Sequence, residues 1–288
     1  MAHRPGPVSP AAHLVCLTFD FDSFSSRSFY GLTGPVQLSQ AEFSAVGAVR
    51  ILDLLRDRGI ATTWFVPGHT VDTYPEIVRR VHAEGHEIAH HGYLHEVPAR
   101  SSKAEEQAAL TRGSDRIRRI TGEDPRGYRA PGWDFSEHTI ELLVGQGFAY
   151  DSSLMGADFH PYFVRRGDVA ERDGPYRFGE PTAILELPVH WSLDDVPHFE
   201  YQRRETVIQQ GLMRTDDVLA NWLDDFRYMR GATDRGVLTY TMHPEVTGRG
   251  HRMLMLTKLI DELSGLGARF VRADAAARTA REWLAGRT

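Results

Sequence analysis

Cysteine is all but missing from these 288 residues: Cys16 stands alone, so no internal disulfide can form. Its neighbours Leu14, Val15 and Leu17 mark it as a small buried hydrophobe rather than a reactive thiol. There is no block of Lys or Arg, and 39 acidic against 33 basic residues leave a formal net charge of −6 and a pI near 6.2. An electrostatic footprint for a phosphate backbone or an anionic lipid surface is lacking, which argues against nucleic acid and membrane as partners. No run is long and apolar enough to span a bilayer. Residues Met1 to Ala12 carry Pro5, Pro7 and Pro10 but no charged head followed by an apolar stretch. They are expected to be a flexible tail rather than a signal peptide, and the expected location is cytoplasmic. Internal repeats and low-complexity linkers are also absent, so residues 1–288 are expected to form a single domain. An α/β barrel reaches this size, and 41% hydrophobic residues can fill its core.

What is present is an alternation of short β-rich runs with longer amphipathic ones, the pattern of βα units around a parallel sheet. The expected strands are Leu14–Phe19, Ile60–Val66, Glu87–His90, Gly127–Arg129, Phe148–Asp151, Ile184–Leu187, Val237–Thr241 and Arg269–Val271. That number suits a distorted, TIM-like β/α barrel of about seven to eight strands. Helix signals fall between them: a capping box at Ser39 and Glu42 with Gly59 as a stop, Pro75 with Gly85, Ser102 and Glu105 with Gly122, Ser136 with Gly147, and Thr215 with Gly231. Two stretches break the rhythm, Ser23–Gln37 and Ser153–Thr182, and both are expected to be irregular loops. Both follow strands, on the face where a barrel builds its site.

The residues that carry chemistry recur at strand ends. In Thr18-Phe19-Asp20-Phe21-Asp22, alternation along an extended segment puts Asp20 and Asp22 on one side. Two carboxylates that close repel unless a cation lies between them; alone, such a pair more often caps a turn. Six of the 14 histidines lie between His69 and His95. The spacing of four between His91 and His95 lets both face one ion from a single helical turn, while the equal spacing of His82 and His86 is taken as a solvated helix face. Tyr93, between the histidines, is a candidate pocket residue. Two imidazoles and the Asp22 carboxylate suit zinc, with cobalt, nickel or iron as other choices, and leave positions open for water and substrate. Arg129 can hold Asp20 by a bidentate pair and Trp133 can wall a pocket, although an Arg-Pro-Trp turn can also merely seal a barrel mouth. Trp191, Asp194 and Asp195 are candidates for pocket lining or for support of a ligand, with the choice between the two aspartates open. His243, delivered by Leu238–Met242 just ahead of Pro244, is placed to protonate a departing amine. Arg249 and Arg252 either bind an anionic or carbonyl group or simply begin the next helix.

Taken in order, the segments TFDFD, HHGYLH, RAPGW, ELPVHW and TMHP resemble the five motif regions of the polysaccharide deacetylase family of carbohydrate esterases, over most of the chain from about Leu14 to Val271. The resemblance implies a distorted β/α barrel and metal-assisted amide hydrolysis. It makes Asp20 the general base and Asp22, His91 and His95 the ligands of zinc or a similar ion. Arg129 and Trp133 shape the base's surroundings, and His243 is the general acid. Phe21 between the aspartates and Gly92 after the first histidine depart from the sugar deacetylases. With HGYLHE, WSLDD and MHPEVTGR they look more like an intracellular branch that includes a peptidoglycan-deacetylase-like group, cyclic imidases and a metal-independent allantoinase. Removal of N-acetyl groups from amino-sugar glycans is the leading expectation. A small-molecule hydrolase opening a cyclic imide or ureide is the alternative, favoured if the two long segments lid the barrel mouth. A catalytically silent ligand-binding barrel is the remote one, since a binding protein needs no base and acid beside its metal. A homo-oligomer is compatible with the aromatic residues Phe199, Tyr201 and Trp222.

Overall fold

Nine residues from Ala12 to Asp20, buried along almost their whole length, form the strand β1 on which the sheet is built. The computed structural model describes residues 12–203, 208–209 and 211–286; the rest of the expected tail, residues 1–11, lies outside the described residues. β10 (Arg235–Met242) runs parallel to β1 along one edge, while β11 (Arg269–Phe270) and β2 (Thr63–Val66) share the other, β11 at Leu14–Val15 and β2 at Thr18–Asp20. Beyond β2 follow β3 (Glu87–His90), β4 (Gly127–Tyr128), β5 (Tyr150–Asp151), β7 (Glu180–Glu186) and β6 (Tyr162–Arg166). The sheet curls into a half-barrel whose outermost strands, β10 and β6, do not pair with each other among the described residues. This is the expected distorted barrel, left open.

Every pairing in this sheet is parallel except that of β6 with β7. That hairpin corrects the expectation that Ser153–Thr182 is irregular: Thr182 Oγ1 donates to the Val164 carbonyl, and buried Val164 fixes the strand's inner face. The first long segment is not a plain loop either. Phe24–Phe29 form the short helix α1, and α2 runs from Pro35 to Arg58. Pro35 at the first turn starts α2 a full turn before Ser39, so the expected capping box does not form and the Ser39 hydroxyl bonds to the Val36 carbonyl instead. The capping box at Ser102 and Glu105 does form, on α5 (Lys103–Thr121), and Gly122 ends that helix in the left-handed conformation.

Helices α3 (Gly68–Thr73), α4 (Pro75–Ala83), α6 (Thr139–Gly145), α7 (Asp195–Phe199), α8 (Thr215–Ala232), α9 (Pro244–Thr247), α10 (Gly250–Gly265) and α11 (Ala273–Ala285) complete the order, with a two-stranded ribbon, β8 (Gln202–Arg203) and β9 (Ile208–Gln209), after α7. The larger core packs the face of β1, β2 and β10 that carries Val15, Phe19, Trp64 and Tyr240 against Leu52, Trp222, Phe226 and Leu259 from α2, α8 and α10. A second cluster sets Leu14, Cys16, Phe65 and Leu185 against the alanines of α11. Burial pushes the Cys16 thiol far above its usual range, consistent with a packing role. Among the described residues no helix is long and apolar enough to cross a membrane.

Two glycines let α2 pass against α9. A Cβ on Gly47 would come to 1.9 Å from the Pro244 carbonyl oxygen, and one on Gly248 to 2.3 Å from the Gly47 Cα. This close approach fixes α9, and with it the turn that follows β10.

Candidate active site

Strands β1, β3, β4 and β10 end on the same rim, so Asp20, His91, Arg129 and His243 leave the sheet together. Asp20 and Asp22 do reach one side, because Phe21 between them is fully buried against Trp64 and Tyr74, with ring centroids 6.0 and 6.1 Å away. Asp22 is held by its main chain: its carbonyl accepts from the Ser25 and Thr70 hydroxyls at 2.6 and 2.9 Å.

His91 and His95 converge on that carboxylate. The Asp22 oxygens lie 3.4 Å from His91 Nε2 and 3.2 Å from His95 Nε2, and all three residues are buried. The two histidines are not on one helical turn. Residues 91–97 form a non-helical loop in which Gly92 has φ +72° and His95 φ +63°. The Glu96 carboxylate accepts from the Tyr93 and Leu94 amides and folds the loop back, and that folding, rather than helix periodicity, brings the imidazoles together. His91 Nδ1 bonds to the Arg129 carbonyl at 2.8 Å, which turns Nε2 toward Asp22. A buried set of one carboxylate and two imidazoles, in which Asp22 Oδ1 has no hydrogen-bond partner, fits a divalent cation of borderline softness. Burial disfavours the Asp22 charge, yet the His95 charge and the two facing imidazoles outweigh it and hold the carboxyl well below the usual range.

The Arg129 guanidinium is fully buried and meets Asp20 through one nitrogen, Nη1 to Oδ1 at 2.6 Å, not as the expected bidentate pair. It also donates to Thr18 Oγ1, the Ser152 carbonyl and Ser152 Oγ, which ties the end of β4 to β1 and to the residue after β5. Asp20 Oδ2, 3.8 Å from His91 Nε2, is left on the cavity side.

Across the cavity stands His243. Its Nδ1 is 2.8 Å from Asp195 Oδ1, while Asp195 Oδ2 accepts from the His243 amide at 2.9 Å and from Thr247 Oγ1 at 2.6 Å. Burial works against protonation of His243, but the charge and hydrogen bond of Asp195, with Asp194 and Asp20 behind them, raise it well above the usual imidazole range. Asp194 lines the cavity and is pushed up to about 7 by burial, a shift that His243 eases and Asp195 deepens. The two aspartates thus divide the roles: Asp195 holds the histidine from behind, and Asp194 faces the cavity while capping α7 through the Val196 amide.

The cavity has a volume of about 170 Å³ and takes in the carboxylates, the three histidines and both tryptophans, Trp133 and Trp191 stacking with centroids 4.3 Å apart. Tyr93 is not on this wall. Its hydroxyl donates to Asp72 and Arg112 covers its ring, which draws the side chain outward. Arg252 donates to the Val246 and Phe199 carbonyls and Arg249 covers the Phe43 ring, so both serve packing rather than the site. Ser26, Arg27 and Tyr30, from the first of the two long segments, line one side of the cavity, whereas the Ser153–Thr182 segment contributes nothing to the lining. Sequence reasoning missed Arg27, Glu200 and Glu245 on this wall; only Glu245, two residues after His243, stood near a recognisable motif.

A model of the family described as polysaccharide deacetylase matches residues 9–150. A peptidoglycan deacetylase of Helicobacter pylori (strain ATCC 700392 / 26695) is 34% identical over 264 residues, covering 87% of this chain and 90% of the relative. Among solved structures, a Mycobacterium smegmatis chain described as a polysaccharide deacetylase superposes with a TM-score of 0.80 at 31% identity, over 98% of this chain and 94% of its own. Puue allantoinase superposes with a TM-score of 0.74 at 21% identity, over 96% and 93% of the two chains, a likeness of fold.

Proposed function

This chain belongs to the polysaccharide deacetylase family of hydrolases, and from that premise we propose that it removes N-acetyl groups from amino-sugar glycans with the aid of zinc. In this reading residues 1–288 are one catalytic domain acting in the cytoplasm. Asp22, His91 and His95 hold the metal, Asp20 is the general base and His243 the general acid. One observation carries it: Asp20 and His243, delivered by the neighbouring strands β1 and β10, face the same cavity as the Asp22–His91–His95 set.

Bound at these ligands, zinc would supply a Lewis acid for the acetyl carbonyl and the attacking water. The rest falls to the protein's own groups. Arg129 fixes Asp20 through Oδ1, and Oδ2 takes the proton from the water that attacks the acetyl carbon. With Nδ1 held by Asp195, His243 presents Nε2 to the cavity and gives its proton to the sugar nitrogen as the C–N bond breaks. Water is consumed, and acetate and a free amine leave. The Trp133–Trp191 stack, with Trp191 45% exposed at the mouth, offers a flat apolar face to a sugar ring.

The volume of about 170 Å³, closed on one side by α1, favours a second reading, hydrolysis of a small cyclic imide or ureide. The two separate in one experiment: the zinc-loaded protein is given N-acetylated chito-oligosaccharide, scored by acetate, and a cyclic imide, scored by ring opening. Acetate release supports the glycan deacetylase and ring opening alone supports the second reading. Inertness toward both would return the chain to the non-catalytic ligand-binding alternative.

A further inference from the structure

Arg27 projects from α1 into the cavity wall and is only 8% exposed. Among the described residues its side chain makes no hydrogen bond and no ion pair, and its Nε is shut away from solvent without an acceptor. Glu245, at the start of α9 on the same wall, is also 8% exposed, and its Oε2 is buried without a partner. Burial, with the Asp22 charge, pushes Glu245 up to about 8, and burial raises Glu200; the Arg27 charge opposes both rises, so the three groups are neighbours, yet Arg27 pairs with neither carboxyl. A chain does not keep a guanidinium and a carboxyl buried, close and unpaired at no cost; the missing partners must come from what enters the cavity. The sign of that ligand follows from the wall. Asp20, Asp22, Asp194, Glu200 and Glu245 already line it, the last three raised by burial, so a further anion would be repelled by Asp22 and push those three higher, while a neutral donor–acceptor group would not.

We propose that Arg27 and Glu245 are the substrate-recognition pair of this cavity, binding a neutral group that offers an acceptor oxygen to the guanidinium and an O–H or N–H to the free carboxyl oxygen. Neighbouring sugar hydroxyls have this chemistry, and so do the carbonyl and N–H of a ureide. The pair determines specificity and takes no part in bond breaking. The assignment rests on the hydrolytic reading of the same cavity.

The test uses the zinc-loaded full chain carrying Asp20→Asn, which removes turnover in that reading, and measures by calorimetry the binding of N,N′-diacetylchitobiose and of hydantoin. One of the two binds, and adding Arg27→Gln or Glu245→Gln weakens that binding about ten- to a hundred-fold, the loss of a hydrogen bond to a charged group. Arg27→Lys, which keeps the charge without the fork, falls between. Without ligand, Arg27→Gln melts higher than its parent, because an unpaired buried charge has been removed. Unchanged affinity in Arg27→Gln, a lower melting temperature for it, or binding of neither compound by the parent overturns the proposal. The sugar and ureide arms identify the source of the group. Binding that Arg27→Gln weakens, in a protein whose Asp20 form releases no product, upholds the pair and defeats the hydrolytic reading, so the two failures are distinguishable.

Discussion

Replacing Asp195 by Asn probes the proton donor without touching the cavity wall. The carboxylate receives three donors, His243 Nδ1, the His243 amide and Thr247 Oγ1, at 2.6–2.9 Å. Asn keeps one acceptor oxygen and turns an N–H toward a donor, so at least one charge-assisted bond is lost, worth about 1.5–3 kcal/mol of stability. The larger effect is on His243, which owes its raised pKa, against the cost of burial, chiefly to Asp195. In the wild type the imidazolium persists well above the usual pKa of about 6.5, and the alkaline limb of the rate profile marks its deprotonation. The same bond stabilises the fold fully below that ordinary value and is lost as pH rises through the raised one. With Asn, the alkaline limb moves toward neutrality, and kcat at neutral pH falls about 10²–10⁴-fold, the usual worth of general acid–base help. Initial rates of acetate release from pH 5 to 10, with thermal unfolding over the same range, give both quantities. A kcat/KM within three-fold of wild type and an unmoved alkaline limb would refute the role of the pair.

His95→Ala leaves two of three ligands and is expected to lower bound zinc, measured by elemental analysis per chain, below one tenth of wild type while the fold is retained. Gly47→Ala drives a methyl into the Pro244 carbonyl and pushes α9 away, costing about 1–3 kcal/mol in thermal unfolding. The same change lowers kcat with zinc content intact, since the metal ligands lie on other elements. Burial raises Asp151 to about 6, and burial with the neighbouring Asp151 charge raises Glu186 well above its usual value. Folded-state carboxyls with raised pKa bind more protons than the unfolded chain, so their contribution to stability is full below about pH 4 and is lost as pH rises through about 6, by an amount on the order of 3 kcal/mol for Asp151 alone. Glu186→Gln keeps the acceptor for the Ser153 and Leu154 amides and should flatten melting temperature against pH between 4 and 7 relative to wild type.

The strands of the half-barrel were legible because each interior strand is an apolar run bounded by helix stops, and parallel pairing buries both faces. Their ends gave the site: Asp20, His91, Arg129 and His243 each stand just past such a run. β6 was hidden because Tyr162–Arg166 is mostly half-buried, with only Val164 fully buried and no clean alternation, and its partner rather than its composition makes it a strand. The HxxxH spacing suggested a helix, whereas Gly92 and the Glu96 carboxylate fold a loop, a tertiary effect that periodicity does not report. Arg27 was invisible for a similar reason. A helix of six residues has no amphipathic period to read, and only its packing against α2 and α3 turns that side chain inward.

The measurement closest to the central claim is acetate release and zinc content determined together on the Asp20→Asn protein. Asp20 is placed as the base beside a metal set that does not include it, so the account predicts one zinc per chain, as in the wild type, and turnover reduced by at least 10²-fold. Retention of wild-type turnover with zinc in place would contradict it.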